Sequence, residues 1–256
     1  MLAAIVLTLN EEQKLPNCLT SLTWVDELVV FDSCSSDRTC EIAREHGARV
    51  IQLPFDNYAT QRNAALETVQ ADWVFFVDAD ERATPELVSE IQMAIQESDV
   101  VGWWIPRQNY IFGRLVKYAG WYPDYQLRLL RPNYARYDPD KHVHEVVNLD
   151  GPDGYLDNSL IHLNYATVGE FIERQDRYTR YDAGILYQQG QRAHPHNFVL
   201  QPLRQFTWRF VTLHGWRDGW HGLLLSALMA YFQFLLYRDL WMMERKQIQK
   251  TPTNPR

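Results

Sequence analysis

Apolar residues in the first hundred positions fall into short runs, each followed by a polar or glycine-bearing stretch and then a helical pattern. Ala3–Leu9 is a continuous apolar run, as expected of a parallel strand covered on both faces. Glu27–Phe31 reads as a second strand ending at Asp32. A helix follows from about Asp37 to His46, with Ser36 or Asp37 to cap it and Gly47 as a left-handed stop. Arg49–Leu53 is the third strand, Tyr58–Val69 a helix and Trp73–Val77 the fourth strand. Thr84-Pro85-Glu86 then opens a helix with cap, first-turn proline and first-turn carboxylate in the favoured order, and Val100–Ile105 is a fifth strand closed by Pro106. This alternation predicts an α/β fold: an open, mostly parallel sheet flanked by helices, with ligands at the carboxyl ends of its strands.

From Gln108 to about His162 the pattern changes to short strands and turns rich in Tyr, Pro, Gly and Asp. From Val168 it is helical: Glu170–Gln189, a break near His194-Pro195-His196, then Leu200 to about Lys250. The predicted division is a catalytic domain over 1–166, split into 1–106 and 107–166, a helical extension over 167–249 and a disordered tail over 250–256. The longest apolar run, Leu223–Tyr237, is interrupted by Ser226 and Gln233. A spanning helix needs roughly twenty apolar residues, so no transmembrane segment is predicted. The apolar start carries no basic region and runs straight into Asn10-Glu11-Glu12, which makes it a buried strand rather than a signal peptide.

Composition narrows this little. A chain of 256 residues buries a substantial core, and 46% hydrophobic with 22% charged residues is ordinary for a globular protein. The formal charge of −7 argues against a nucleic-acid partner, which a basic surface would serve. Cys18, Cys34 and Cys40 form neither a disulfide framework nor a zinc motif, so a reducing, cytoplasmic setting fits best.

The chemistry gathers at the strand ends. In an extended segment residues i and i+2 point the same way, so Asp78 and Asp80 are expected to face one cation. Mg²⁺ or Mn²⁺ prefers such oxygen ligands and commonly shares them with a diphosphate, neutralising charge as a bond to it breaks. A bare D-x-D is a weak signal, strengthened here by its place after Trp73–Val77. The ends of strands one and two offer Thr8, Asn10, Glu11, Asp32, Ser33, Ser35, Ser36 and Asp37, suited to a base and ribose, with the following helix N-terminus suited to a phosphate. Ordinary capping and turn chemistry is the alternative for Ser36 and Asp37.

Four ordered blocks carry a resemblance. Thr8-Leu9-Asn10-Glu11-Glu12, Val30-Phe31-Asp32-Ser33-Cys34-Ser35-Ser36-Asp37-Arg38-Thr39, Gln61-Arg62-Asn63 and Val77-Asp78-Ala79-Asp80 resemble the family 2 glycosyltransferases of GT-A fold. The form Asp78-Ala79-Asp80-Glu81-Arg82 and the block Trp121–Arg131 are similar to the subgroup that includes lipopolysaccharide core β-1,4-glucosyltransferases. The resemblance implies a GT-A-type sheet with 107–166 facing the acceptor. It implies that Thr8, Asn10, Glu11 and Asp32 line the nucleoside pocket with Asp78, that Arg62 approaches the diphosphate, and that Asp80 is the main metal ligand. Cys34 departs from the glycine or small polar residue usual in the family.

The resemblance also implies an inverting transfer, UDP-glucose as donor, and a lipopolysaccharide core or other glycolipid as acceptor. Inversion needs a base near the acceptor hydroxyl. Gly120-Trp121-Tyr122-Pro123-Asp124 resembles the family's tryptophan-plus-acid motif and offers Asp124; His142-Val143-His144-Glu145 offers Glu145, ranked second. The family's adjacent acids are reduced to one here. Trp121 and Tyr122 suit stacking on an acceptor sugar or plain packing. His144 is a further candidate for acceptor contact. His162 suits completion of the metal shell, as a downstream histidine does in some GT-A enzymes, or a place in the core. Arg128 and Arg131 suit an acidic acceptor or phosphate, with a structural ion pair as the default.

Trp208–Met243 intersperses tryptophans and phenylalanines with Arg204, Arg209, Arg217 and Arg238 nearby, a pattern for a peripheral place on the inner face of the membrane or for packing, including a homo-oligomer through these helices. Two other functional readings stay open: a metal-dependent hydrolase using His142, His144 and Asp78, and a non-catalytic nucleotide-binding scaffold. A dinucleotide oxidoreductase is disfavoured because no G-x-G-x-x-G follows the first strand.

Overall fold

A computed structural model of the chain describes residues 1–97, 99–138 and 147–250. Its strands are β1 (Leu2–Thr8), β2 (Glu27–Asp32), β3 (Arg49–Gln52), β4 (Trp73–Asp78), β5 (Glu81–Arg82) and β6 (Gly102–Ile111). They continue with β7 (Arg114–Leu115), β8 (Asp124–Leu130), β9 (Ala135–Tyr137), β10 (Val147–Leu149), β11 (Asp153–Tyr155) and β12 (Leu160–Tyr165). The helices are α1 (Leu15–Thr20), α2 (Thr39–Glu45), α3 (Tyr58–Thr68), α4 (Pro85–Ala94), α5 (Val168–Gln188), α6 (Asn197–Thr207) and α7 (Trp220–Lys250). The chain divides into two units, Met1–Gln108 with Pro123–Leu163, and Asn109–Tyr122 with Asn164 onward. Residues 109–122, expected in the same half-domain as 123–163, therefore group instead with the helical part.

The first unit is built on a sheet of order β3-β2-β1-β4-β8-β6-β12-β5, with β11 beside β6. Its first four strands are parallel. Beyond β4 the joins to β8 and from β8 to β6 are antiparallel, so the sheet is mixed rather than parallel throughout. The apolar runs of β1, β2 and β4 are explained by burial on both faces. Ala4, Val6, Val30, Phe75 and Val77 enter one core with Leu15, Leu19, Ile42, Leu87 and Ile91 from α1, α2 and α4. Their neighbours Ala3, Ile5, Val29, Phe31 and Phe76 enter the other, with Ala59, Ala65 and Leu66 from α3. Each large side chain so buried contributes about 1.5–3 kcal/mol relative to exposure.

Local signals end these elements where expected. Gly47 has φ 76° after α2. The Asn57 side chain accepts from the Thr60 amide at 2.8 Å and that of Thr84 from the Leu87 amide at 3.2 Å, so α3 and α4 start on capped amides. Pro106 does not close the fifth strand: β6 runs on to Ile111, with Pro106 in register opposite Tyr125 and an irregularity between Trp103 and Trp104.

In the second unit Phe112 and Gly113, at φ 52° and 75°, turn the end of β6 into β7. Ile111, Val116, Tyr165, Phe171, Leu225, Phe232 and Leu235 form its core. Thr167 caps α5 at the Glu170 amide (3.1 Å) while Glu170 accepts from the Ala166 amide (2.9 Å), a reciprocal N-terminal box. The single helix expected over 200–250 is interrupted. After α6 come a wide π-type turn at Trp208–Thr212 and a 3₁₀ turn at Gly215–Asp218, bounded by His214 (φ 54°) and Gly219 (φ 63°). Within α7 the stretch Trp220–Arg245 is long and apolar enough to cross a membrane by length and composition, which the fifteen-residue apolar run did not foretell. A third of its most apolar window is buried inside the protein, and α7 packs against α5 and α6. The tail 251–256 lies outside the described residues.

Candidate active site

Strand register brings three carboxyl ends level. Thr8 pairs with Asp32 across β1 and β2, and Leu7 pairs with Asp78 across β1 and β4. Asp32 is fully buried yet satisfied. It accepts from the Thr8 hydroxyl (2.9 Å), the Ser35 hydroxyl and amide (2.5 and 2.8 Å) and the Gln52 amide group (3.1 Å). Burial alone would raise its pKa; these donors, Ser35 first, outweigh that and hold it below the ordinary carboxylate value.

Asn10 adopts a left-handed backbone (φ 56°), which asparagine tolerates better than most residues. Its amide donates to Ser35 Oγ (2.8 Å) and its side-chain oxygen accepts from the Ser36 amide (2.9 Å), clasping the ends of β1 and β2 together. The Glu11 amide donates to Thr39 Oγ1 (2.8 Å), and its carboxylate lies 3.9 Å from Lys14 Nζ. Cys34, also left-handed at φ 64°, turns the chain between them. At the N-terminus of α2, where a phosphate seat is expected, side chains accept from two of the backbone amides. Asp37 accepts from the Thr39 amide (3.0 Å) and Glu12 from the Arg38 amide (3.1 Å).

Asp78 and Asp80 take different partners. Asp78 ends β4, while Ala79 and Asp80 form the turn into β5, so the same-side rule for extended chain does not apply across them. The Asp78 carboxylate is gripped in fork geometry by Arg128, whose second nitrogen lies 3.3 Å away, and Arg62 Nη2 stands at 3.8 Å. Burial opposes its ionisation, but Arg128 and Arg62 prevail and hold the carboxyl far below the usual range. Arg62 is itself laid over the rings of Phe76 (5.0 Å) and Tyr137 (5.6 Å).

Two residues with no role assigned from sequence complete this network. Glu81 is wholly buried and accepts from Arg128 (2.9 Å), from Arg107 (3.2 Å) and from the Asp78 amide (2.9 Å). Arg107 also holds Asp124 at 2.7 Å, and Gln126 donates to the other Asp124 oxygen at 2.9 Å. Acids and bases therefore alternate from Asp124 through Arg107, Glu81 and Arg128 to Asp78 and Arg62. The only hint in the sequence was an acid–base dipeptide, Glu81-Arg82, continuing the D-x-D. Arg131, by contrast, binds the carbonyls of Val100 (3.1 Å) and Glu97 (3.0 Å) and covers the Trp73 ring, a structural post.

Asp80 Oδ1 lies 3.7 Å from His162 Nε2, a separation two ligands of one cation can span. Pairing of β5 with β12 sets this, with His162 opposite Glu81, and the Leu163 amide donates to the Asp80 carbonyl at 2.9 Å. Among the described residues no group of three or more His, Cys, Asp or Glu can hold a metal ion. The donor set is thus a two-ligand fragment, which suits a hard cation that takes its remaining ligands from water and a diphosphate.

Trp121 and Tyr122 belong to the second unit. Trp121 packs near Tyr165 (6.5 Å) and Phe171 (6.3 Å), its carbonyl accepts from Asn109 (2.8 Å), and its buried Nε1 has no hydrogen-bond partner among the described residues. Tyr122 is exposed. His142, His144 and Glu145 lie outside the described residues. Of the three residues in the hydrolase reading, Asp78 is the one described, and its carboxylate is held by Arg128.

Comparison with known proteins adds four findings. The profile of glycosyl transferase family 2 matches residues 3–146. The chain is 31% identical over 251 residues to the lipopolysaccharide core biosynthesis glycosyltransferase LpsC of Rhizobium meliloti (strain 1021), covering 91% of this chain and 89% of that protein. It is 24% identical over 254 residues to an uncharacterized glycosyltransferase of Rickettsia typhi, covering 91% and 84%. Its fold is similar to that of S. aureus TarS 1-349, solved in complex with UDP-GlcNAc, with a TM-score of 0.51 at 16% identity over 99% of this chain and 93% of that one. The expected GT-A-type sheet with helices after it is the fold observed. The family's matched span contains the levelled strand ends, the acidic turn and the Arg128 network. From that agreement of profile, full-length likeness and fold, the chain belongs to glycosyl transferase family 2.

Proposed function

We propose that this chain moves a hexose, glucose by preference, from a nucleotide-sugar donor to a lipopolysaccharide core or related membrane-associated glycan, with inversion at the anomeric carbon. The acceptor class rests on the likeness to LpsC. The observation that carries the donor reading is the levelling of Thr8, Asp32 and Asp78 at adjacent strand ends. In this reading Thr8, Asn10, Glu11 and Asp32 take the nucleoside, and Arg62 meets the diphosphate. Asp78 keeps Arg62 and Arg128 in place by balancing their charge. Asp80 and His162 hold Mg²⁺ or Mn²⁺, which when bound offsets charge on the leaving diphosphate.

Asp124 takes the proton of the acceptor hydroxyl, its carboxylate aimed by Arg107 and Gln126. Glu145 is the competing base. Exposed Tyr122 is the aromatic available to a sugar ring. A cytoplasmic setting at the membrane face follows from the donor and acceptor so proposed.

The test is incubation of the full chain with UDP-glucose and other nucleotide sugars, isolated lipopolysaccharide core, and Mn²⁺ or Mg²⁺. Product with an inverted anomeric centre, formed only with metal, supports the reading. Failure of every nucleotide sugar to label the core refutes it.

A further inference from the structure

Between α6 and the start of α7 the second unit exposes an unusual run of large apolar side chains. Val199, Leu200 and Leu203 stand outward from α6, followed by Trp208, Trp216 and Trp220, and Trp220 is 72% exposed. Val199, Leu200 and Leu203 follow helical spacing, so α6 leaves one apolar stripe unpacked while packing against α7. The stretch 197–220 carries three arginines against one aspartate, in a chain whose formal charge is −7. That aspartate, Asp218, is turned inward, accepting from the amides of Tyr118 (2.9 Å) and Lys117 (3.3 Å). Arg204 and Arg217 are exposed.

We infer that 197–220 is a docking surface for an anionic lipid bilayer, lying in the headgroup region with its tryptophans at the boundary. Tryptophan favours that boundary because its ring is apolar and its N–H polar. A helix lying there buries its apolar stripe and turns basic residues to acidic headgroups. A second copy of the chain fits less well. A two-fold interface pairs the patch with another copy of itself, which offers Arg204 and Arg217 no outward carboxylate, since Asp218, the one acid of the stretch, is turned inward.

The docking stretch also sets the loop that carries Trp121. Arg209 donates to the Ala119 carbonyl (2.7 Å) and lies between the rings of Trp121 (5.5 Å) and Trp208 (5.6 Å). The Leu213 carbonyl accepts from the Ala119 amide (3.0 Å), and Asp218 takes the two amides before it. Ala119 and Gly120 are both left-handed, at φ 56° and 79°, so the loop depends on these bonds to keep its shape. Seating of the surface on lipid would thus act directly on the Trp121 loop.

The experiment is co-sedimentation of the full chain with vesicles, without donor or acceptor, so its outcome is independent of the sugar-transfer reading. Vesicles of phosphatidylglycerol with phosphatidylethanolamine are compared with phosphatidylcholine alone. Expected are binding to the anionic vesicles, weakened by salt, and a blue shift of tryptophan emission. Arg204→Gln and Arg217→Gln each weaken it about fivefold, as ~1 kcal/mol per basic residue near an anionic surface requires. The triple change Trp208→Ser, Trp216→Ser and Trp220→Ser weakens binding to both vesicle types by roughly tenfold or more, with circular dichroism unchanged. The inference is overturned by no binding to anionic vesicles, by binding that ignores these substitutions, or by a dimer that the tryptophan changes dissociate.

Discussion

Arg128 meets the fully buried Glu81 at 2.9 Å, and the same guanidinium grips Asp78. Removing one member of such a buried set strands the other charges. Glu81→Ala is expected to cost about 3–5 kcal/mol of stability. Glu81→Gln, which still accepts hydrogen bonds, costs less. Urea denaturation of both variants measures the difference, and equal stability of Glu81→Ala and the unaltered chain would contradict this account.

Acid should unfold the protein in a predictable window. Asp78 and Asp32 are both held below the ordinary carboxylate value, the first by Arg128 and Arg62 and the second by Ser35 and Gln52, each against its own burial. A lowered folded pKa adds stability above the unfolded value of about 3.9, and that stability disappears as pH falls through the folded value. The urea midpoint is therefore expected to hold down to about pH 5 and to fall steeply below about pH 4. Asp78→Asn lowers stability at neutral pH but makes the acid limb shallower.

Nucleotide binding tests the cradle at β1 and β2. Asp32→Ala removes a charged acceptor bound to Thr8, Ser35 and Gln52. If Asp32 also accepts from the nucleoside as proposed, a hydrogen bond to a charged group contributes about 1.5–3 kcal/mol, so nucleoside diphosphate affinity is expected to fall roughly ten- to a hundredfold by titration calorimetry. Unchanged affinity removes Asp32 from the site.

Metal dependence separates the two aspartates. Asp80→Ala should abolish manganese-dependent turnover and His162→Ala reduce it by about tenfold, the lower end for loss of a metal-associated group. In Asp80→Ala, excess Mn²⁺ should not restore the rate. Full activity in Asp80→Ala would end the metal role of that carboxylate.

Close packing at Gly222 gives a fifth test. A Cβ there would fall 1.9 Å from the Gly215 carbonyl oxygen, so Gly222→Ala must displace backbone. Overpacking of this kind costs about 1–3 kcal/mol. Thermal unfolding should show the loss, whereas Gly184→Ala, with open space around it, should not.

Much of the first unit was legible because its strands are buried on both faces and therefore write continuous apolar runs. The ends of β1, β2 and β4 lie within a residue of where those runs stop. Helix α1 was missed, since Leu15–Thr20 spans only 6 residues and Lys14 before it makes no side-chain capping bond. Pro106 misled because its missing N–H suggested an end, while an antiparallel ladder demands an N–H toward a given neighbour only at alternate residues. The alternation of Asp124, Arg107, Glu81 and Arg128 could not be read from spacing. It joins residues from β5, β6 and β8 whose adjacency depends on sheet order. The split of Asp78 from Asp80 was hidden for a similar reason, because two residues of turn replaced the assumed extended chain.

The loop from Lys117 to Trp121 has a consequence for where this protein can be divided. A cut after Ala166, the boundary suggested by sequence, would retain the loop's residues but discard Arg209, Leu213 and Asp218, the three anchors that shape it. Such a fragment would keep the family signature while losing the conformation of its tryptophan. The helices at the carboxyl end therefore hold this loop, and any minimal version that keeps its shape must carry them.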